Sequence, residues 1–404
     1  MVMKGKSLLH VTLIVSLAAM MGAMTGCTKA RKAGGKMDTP EVHYKQGMKY
    51  WDQGEIAKAE EEFKLAQSLD PKFGPAVAGL ALTTAKKAQD APDNEAMEDG
   101  FKQAHKLMNK AKDLSPKAAE VYIARGLVIT MQNEGRKPAK KWIKDVEREY
   151  GKAIDLDPQS AEAYYRRGYC YKKALMFSEA KSDFSKVLEI DKGFTSQADK
   201  EFKLINDIER AAPGTEIGKK IALVEEISRA DIAALFISEL KIDKLVQKKR
   251  PKKYDVDFQA PEDPRKMEVD QMTKMPEITD MEGHWAKNFV MDIVDLNIRG
   301  LEPYPDHTFH PDELVNRGEY AMMVEDAIIA ITGDESIATK HIGEEQSRFP
   351  DVNPSHPSYN AICTAADRGI MDAQINGEFG MQQSVSGAEG LLVIRKLKNF
   401  LKLE

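Results

Sequence analysis

The chain has 404 residues, 30% of them charged and 7% aromatic, with a formal net charge of −5. That length gives room for two or three domains with sizeable cores, and the composition suits a helix-rich soluble protein. The mild acidity argues against a dedicated nucleic-acid binder, which carries a basic excess. Cys27, Cys170 and Cys363 form no close pair and no metal-ligand spacing, so neither a disulfide framework nor a zinc site is read from them. At the start, Lys4 and Lys6 precede an apolar run from Leu8 to Ala23, interrupted by His10 and Ser16. Such a basic start and short apolar stretch reads as an export leader rather than a membrane span.

The leader closes on Met24-Thr25-Gly26-Cys27. This resembles the bacterial lipoprotein cleavage motif, with methionine where leucine is usual. The resemblance implies a signal peptide over 1–26 and lipidation of Cys27; the other reading is an ordinary leader with an incidental cysteine. Thr28 rather than aspartate after the cysteine implies an exported protein anchored by lipid in the cell envelope, at the outer membrane and facing the periplasm. Acyl chains each contribute about 0.8 kcal/mol per buried CH₂ to such an anchor. Residues 27–39, with Lys29, Arg31, Lys32 and Lys36, read as a flexible basic tether. Contact with anionic headgroups and plain solvation explain its charges equally well.

From Pro40 the chain is self-similar. Gly47, Tyr50, Ala59, Phe63 and Ala66 reappear with every spacing kept as Gly168, Tyr171, Ala180, Phe184 and Val187. This pattern resembles the tetratricopeptide (TPR) repeat, a helix-turn-helix of about 34 residues. Leu69-Asp70-Pro71, Leu114-Ser115-Pro116 and Leu156-Asp157-Pro158 mark looser copies between, giving about four repeats over 40–195. The wide spacing of those prolines predicts insertion loops at 91–94 and 133–136. The resemblance implies a helical solenoid with a concave groove for a peptide, faced by Tyr44, Met48, Trp51, Tyr165, Tyr169 and Lys172. The same aromatics suit packing between repeats as well. Cys170 reads as a small buried apolar residue.

Further on, Ser228 with Asp231, Asn316 with Glu319 and Ser386 with Glu389 repeat one signature. An N-cap side chain accepts from a free helix-start amide while an acidic residue three positions on reaches back. Ahead of the second pair stand Asp280, His284-Trp285-Ala286, then Tyr304-Pro305-Asp306-His307-Thr308-Phe309, then Asn316-Arg317-Gly318-Glu319. These three linked elements resemble the S-layer homology (SLH) repeat, with its D…HWA helix, GYPDGTF-type loop and TRAE-type helix start. A third copy follows from Asp351, with Pro357 in the tryptophan position and Gly387 in the arginine position. The expected layout is a partial first repeat at 196–246, a basic then proline-rich linker at 247–276, a second repeat at 277–335 and a degenerate third at 346–404. Cys363 is expected to be buried and inert. His284, His307 and His310 have no ligand spacing, so no metal or other cofactor is expected.

The expected fold is therefore all-α: a TPR solenoid followed by an SLH-like helical domain of three pseudo-repeats whose capped helices assemble into one body. The SLH resemblance implies binding of cell-wall glycan, either peptidoglycan or an attached acidic polymer. Arg229 and Arg317 are the expected anion forks beside a positive helix end, and Trp285 a flat face for a sugar ring. Asp280 and Tyr304 complete the set. No Ser/His/Asp order, zinc motif or phosphate loop points to an enzyme. The function expected is a non-catalytic tether holding wall glycan while the TPR part recruits a protein. The alternative is an envelope assembly factor whose SLH-like part is a folded platform.

Overall fold

The computed structural model describes residues 30–246 and 278–403. The leader, the Cys27 lipidation site and the linker at 247–276 lie outside the described residues. Among the described residues the regular elements are helical, and two isolated antiparallel bridges, Ser228–Leu314 and Asn316–Ser384, are the only strand-like pairings. The all-α class is the one expected. The chain divides after Ala198 into two compact units.

Among its described residues the first unit contains eight α-helices in four antiparallel pairs: α1 (Pro40–Asp52) with α2 (Ile56–Leu69), α3 (Gly74–Gln89) with α4 (Asn94–Leu114), α5 (Ala119–Asn133) with α6 (Ile143–Leu156), and α7 (Ala161–Lys173) with α8 (Phe177–Ile190). Thr39, Asp93 and Ser160 cap α1, α4 and α7 by accepting a first-turn amide, which satisfies donors that the helix itself leaves free. The outer pairs close on a small residue facing a ring. A Cβ added at Gly47 would lie 2.5 Å from the Phe63 ring, and one at Gly168 would lie 2.9 Å from Phe184. Phe63 and Phe184 are fully buried, and truncating such a ring costs about 3–5 kcal/mol.

The predicted insertion at 91–94 is placed differently. The second repeat absorbs its extra residues as helix, with 16 residues in α3 and 21 in α4 against 13 in α1 and 14 in α2. In the third repeat the extra residues form a true insertion. It contains a 3₁₀ turn (Ala139–Lys141) and is held by buried Trp142, whose indole N–H donates to the Lys137 carbonyl at 3.2 Å. The end of the expected tether is not loose either. The Arg31 amide donates to the Ser68 carbonyl at 2.7 Å, and Asp38 accepts from the Arg31 guanidinium and the Gly34 amide. His43 then bridges Asp38 (2.8 Å) and Glu62 (2.6 Å). Carboxylates on both sides of the imidazole pin this segment to the first repeat.

Helix α9 (Thr195–Ala211) runs across the division between the units. The second unit continues with α10 (Glu216–Ile221), α11 (Arg229–Leu235, prolonged by a π-helical turn Phe236–Leu240), α12 (Ile242–Leu245), α13 (Lys287–Asp295), α14 (Arg317–Thr332), α15 (Tyr359–Asp367) and α16 (Gly387–Phe400). The three capped helices α11, α14 and α16 meet at its centre. Immediately before their caps stand Ile227, Val315 and Val385, all buried. These residues close a ring of backbone hydrogen bonds: Ile227 donates to Val385 (2.8 Å), Val385 to Val315 (3.3 Å), and Val315 to Ile227 (3.1 Å). The Tyr320 hydroxyl on α14 donates to the Gly390 carbonyl on α16 at 2.9 Å, and the Tyr320 ring lies 6.4 Å from Phe236. The three similar segments therefore assemble as one body.

Candidate functional site

Two of the three helix starts carry the full reciprocal cap. Ser228 and Asp231 exchange hydrogen bonds, as do Asn316 and Glu319. At the third, Ser386 accepts from the Glu389 amide at 3.2 Å, but the Glu389 carboxylate turns away to pair with Arg317. The expected third capping pair is thus half formed, because the guanidinium outcompetes a backbone amide for the carboxylate.

That arginine and its counterpart serve a different purpose from the one their chemistry suggested. Arg229 is 7% exposed and Arg317 9%. Arg229 donates from Nε to the Phe309 carbonyl (3.0 Å), from Nη1 to Gly300 (2.5 Å) and from Nη2 to Glu302 (2.8 Å). Arg317 donates from Nε to Phe379 (2.9 Å) and from Nη2 to Asp372 (2.8 Å). Their planes lie over the rings of Phe309 and Phe379, at 4.7 and 4.8 Å. The forks expected to take an anion instead hold the loop of the next repeat through its main-chain oxygens, with Arg317 also paired to Glu389. Asp280 is likewise a loop holder rather than an exposed contact: it accepts from the Phe309 and His310 amides at 2.8 and 2.7 Å. Asp351 repeats this with Phe379, Gly380 and Met381.

Trp285 is 55% exposed, beside His284 and Phe289. Tyr304 is 38% exposed; its hydroxyl donates to Glu313 at 2.7 Å and its ring lies 4.8 Å from His310. Both present a face to solvent, but neither lines a separate cavity found in the same unit. That cavity is a cleft of about 590 Å³ where the end of the second repeat meets the start of the third, with walls including Arg299, His341, Glu344, His356, Pro357 and Asn360. The residues named from sequence as polymer contacts are absent from this wall. Sequence reasoning missed Arg299, because it lies in the turn after α13, outside the motifs. Its guanidinium is 47% exposed and 3.7 Å from the buried Glu325 carboxylate. Burial raises the Glu325 pKa, against the opposing hydrogen bond from Asn360. Hydrogen bonds from His341 and Tyr359 hold Glu344 down at about 2. The cleft thus combines a solvent-facing guanidinium, amide and imidazole groups, and a carboxylate that stays ionised.

In the first unit, Met48 and Trp51 are half-buried against the α3–α4–α5 core. Tyr44 packs on Phe63 and Phe73, and Tyr165 on Phe184 and Phe194, one arrangement repeated 121 residues on. Tyr169 is half-buried, with the ammonium groups of Lys172 and Lys173 over its ring at 5.1 and 5.3 Å. Arg166 of α7 bonds Glu162 (2.8 Å) and reaches Asp52 at the end of α1 (3.3 Å), tying the fourth repeat to the first.

The profile of the tetratricopeptide repeat matches residues 40–73 and 161–194, and that of the S-layer homology domain matches 277–321 and 348–389. No curated protein matches the chain. Among solved structures, the chain is similar to a thermophilic TPR protein of Thermus thermophilus, at 20% identity and a TM-score of 0.34, over 41% of this chain and 81% of that one. Among the described residues no helix is long and apolar enough to cross a membrane. TPR and SLH modules are binding modules: the first points to protein–protein interaction, the second to association with the cell wall and so with the cell envelope. The chain joins tetratricopeptide repeats to S-layer homology repeats.

Proposed function

We propose that the protein is a non-catalytic envelope tether. The second unit holds peptidoglycan or an attached acidic polymer, and the first recruits a protein. The observation that carries the reading is the cleft between the two matched SLH repeats, where Arg299 offers an exposed guanidinium among amide, imidazole and carboxylate groups. A planar fork of this kind suits a sugar carboxylate, and the volume suits one or two sugar rings. Trp285 supplies a second, separate face for stacking. Arg229, Arg317 and Asp280 serve by shaping the loops rather than by touching polymer. On the first unit, Tyr169 and Lys172 are the groups we assign to meeting a partner. Anchoring through a lipidated Cys27 at the outer membrane completes the reading.

The test is co-sedimentation of the whole chain with purified sacculi, before and after acid stripping of attached polymers. Binding to both preparations supports peptidoglycan as ligand, and binding to the unstripped one alone supports the acidic polymer. Failure to bind either favours the assembly-factor reading, in which the SLH part is a platform.

A further inference from the structure

At the edge of the cleft, the second unit gathers a histidine, carboxylates and a cysteine whose combined chemistry goes beyond the polymer-binding reading. His341 is 3% exposed and Cys363 is fully buried. One donor atom each from His341, Glu344 and Cys363 lie within 4.8 Å of one another. The two imidazole nitrogens face carboxylates, Nδ1 at 2.8 Å from Glu344 and Nε2 at 3.3 Å from Asp367. Nε2 is nonetheless a buried ring nitrogen with no hydrogen-bond partner, a costly state unless something else satisfies it. Sequence spacing hid the group, because its members come from the loop after α14 and from α15.

We propose that His341, Glu344 and Cys363 form a three-residue binding site for a borderline divalent cation of the zinc class, with water completing the coordination. A nitrogen, a thiolate and carboxylate oxygens are the donor mix such ions take. Around tetrahedral zinc, donor atoms lie about 3.5 Å apart, as bond lengths of roughly 2.0–2.3 Å require. Binding would therefore draw the three donors in from within 4.8 Å of one another to that spacing. Two features set the conditions of binding. Burial raises the Cys363 pKa, so the ion must displace the thiol proton to bind. Arg348 also lies against Glu344 (2.9 Å) and Asp367 (2.7 Å). Its side chain is 41% exposed, free to swing outward, and in the metal-free chain it supplies the positive charge that the carboxylates require. His341 and Glu344 also line the cleft, which gives the ion an entry path and makes the site a stiffener of the cleft wall.

Cobalt(II) titration of the whole chain tests this without depending on wall binding. The expected result is one saturable equivalent, with a thiolate-to-cobalt charge-transfer band and tetrahedral ligand-field bands. Cys363→Ser should remove the charge-transfer band, and Glu344→Gln, at a partly exposed position, should weaken uptake at least tenfold. Zinc should displace the cobalt. Absence of uptake, or a spectrum whose charge-transfer band survives Cys363→Ser, overturns the proposal. The same holds if Glu344→Gln leaves the affinity unchanged.

Discussion

Arg317 shows how a side chain chosen for anion binding by its chemistry can be claimed by the fold. Its guanidinium satisfies the buried Phe379 carbonyl, the part-buried Asp372 carbonyl and the Glu389 carboxylate, and burial lowers its pKa. Arg317→Ala should destabilise the second unit by about 2–3 kcal/mol, because it leaves the buried Phe379 carbonyl without its donor and removes the Asp372 and Glu389 contacts. Arg317→Lys should recover only part, since a point charge cannot reproduce the fork. Urea denaturation followed by circular dichroism would measure both; a loss below about 1 kcal/mol for the alanine variant would contradict the stapling role. His43 makes a prediction in pH. Burial lowers its pKa, but the hydrogen bonds it makes to the Glu62 and Asp38 carboxylates outweigh this and the net shift is upward. A raised folded-state value means that the bridge stabilises fully below the unfolded value of about 6.5 and is lost as pH rises through the folded one. His43→Ala should therefore lower Tm more at about pH 5.5 than at about pH 9. An equal loss at both would mean that the imidazole acts by packing alone.

At the scale of elements, the three capped segments are alike in register but not in closure. Arg229 and Arg317 each reach forward into the loop of the following repeat. At the third position Gly387 stands instead, its amide donating to the Val224 carbonyl at 2.9 Å. A Cβ there would lie 1.7 Å from the Ile221 carbonyl oxygen. Gly387→Ala should consequently cost at least about 2 kcal/mol, read as a drop in the Tm of the second unit. His307 adopts φ 66° where Gly377 of the third repeat has φ 84°, so His307→Gly should stabilise by roughly 1 kcal/mol. These details separate what is legible in the sequence from what is not. Caps and repeated glycine–aromatic spacings are local, and they reveal the elements and their order. The third repeat's Gly126–Tyr150 contact, 2.5 Å from an added Cβ, was missed because the inserted turn around Trp142 stretches its spacing. The destination of each arginine was not legible either, since it depends on which loop another segment brings within reach.

For the molecule as a whole, the proposed function divides the work between the units, with protein recruitment on one and wall association on the other. The recruiting side was the less legible. Met48 and Trp51 have the composition of a binding groove, yet the second repeat's core takes up their apolar surface. The module was legible and the cleft was not, because Arg299 and His341 lie between the motifs and only His356 stands at a motif position. The most direct measurement is calorimetric titration of soluble fragments of the wall polymer into the whole chain and into Arg299→Ala, with Tm recorded for both. A wall tether predicts saturable binding that Arg299→Ala weakens at least tenfold, about 1.4 kcal/mol, while the variant stays folded. Unchanged affinity in a folded Arg299→Ala protein, or no binding by the unaltered chain, would contradict it.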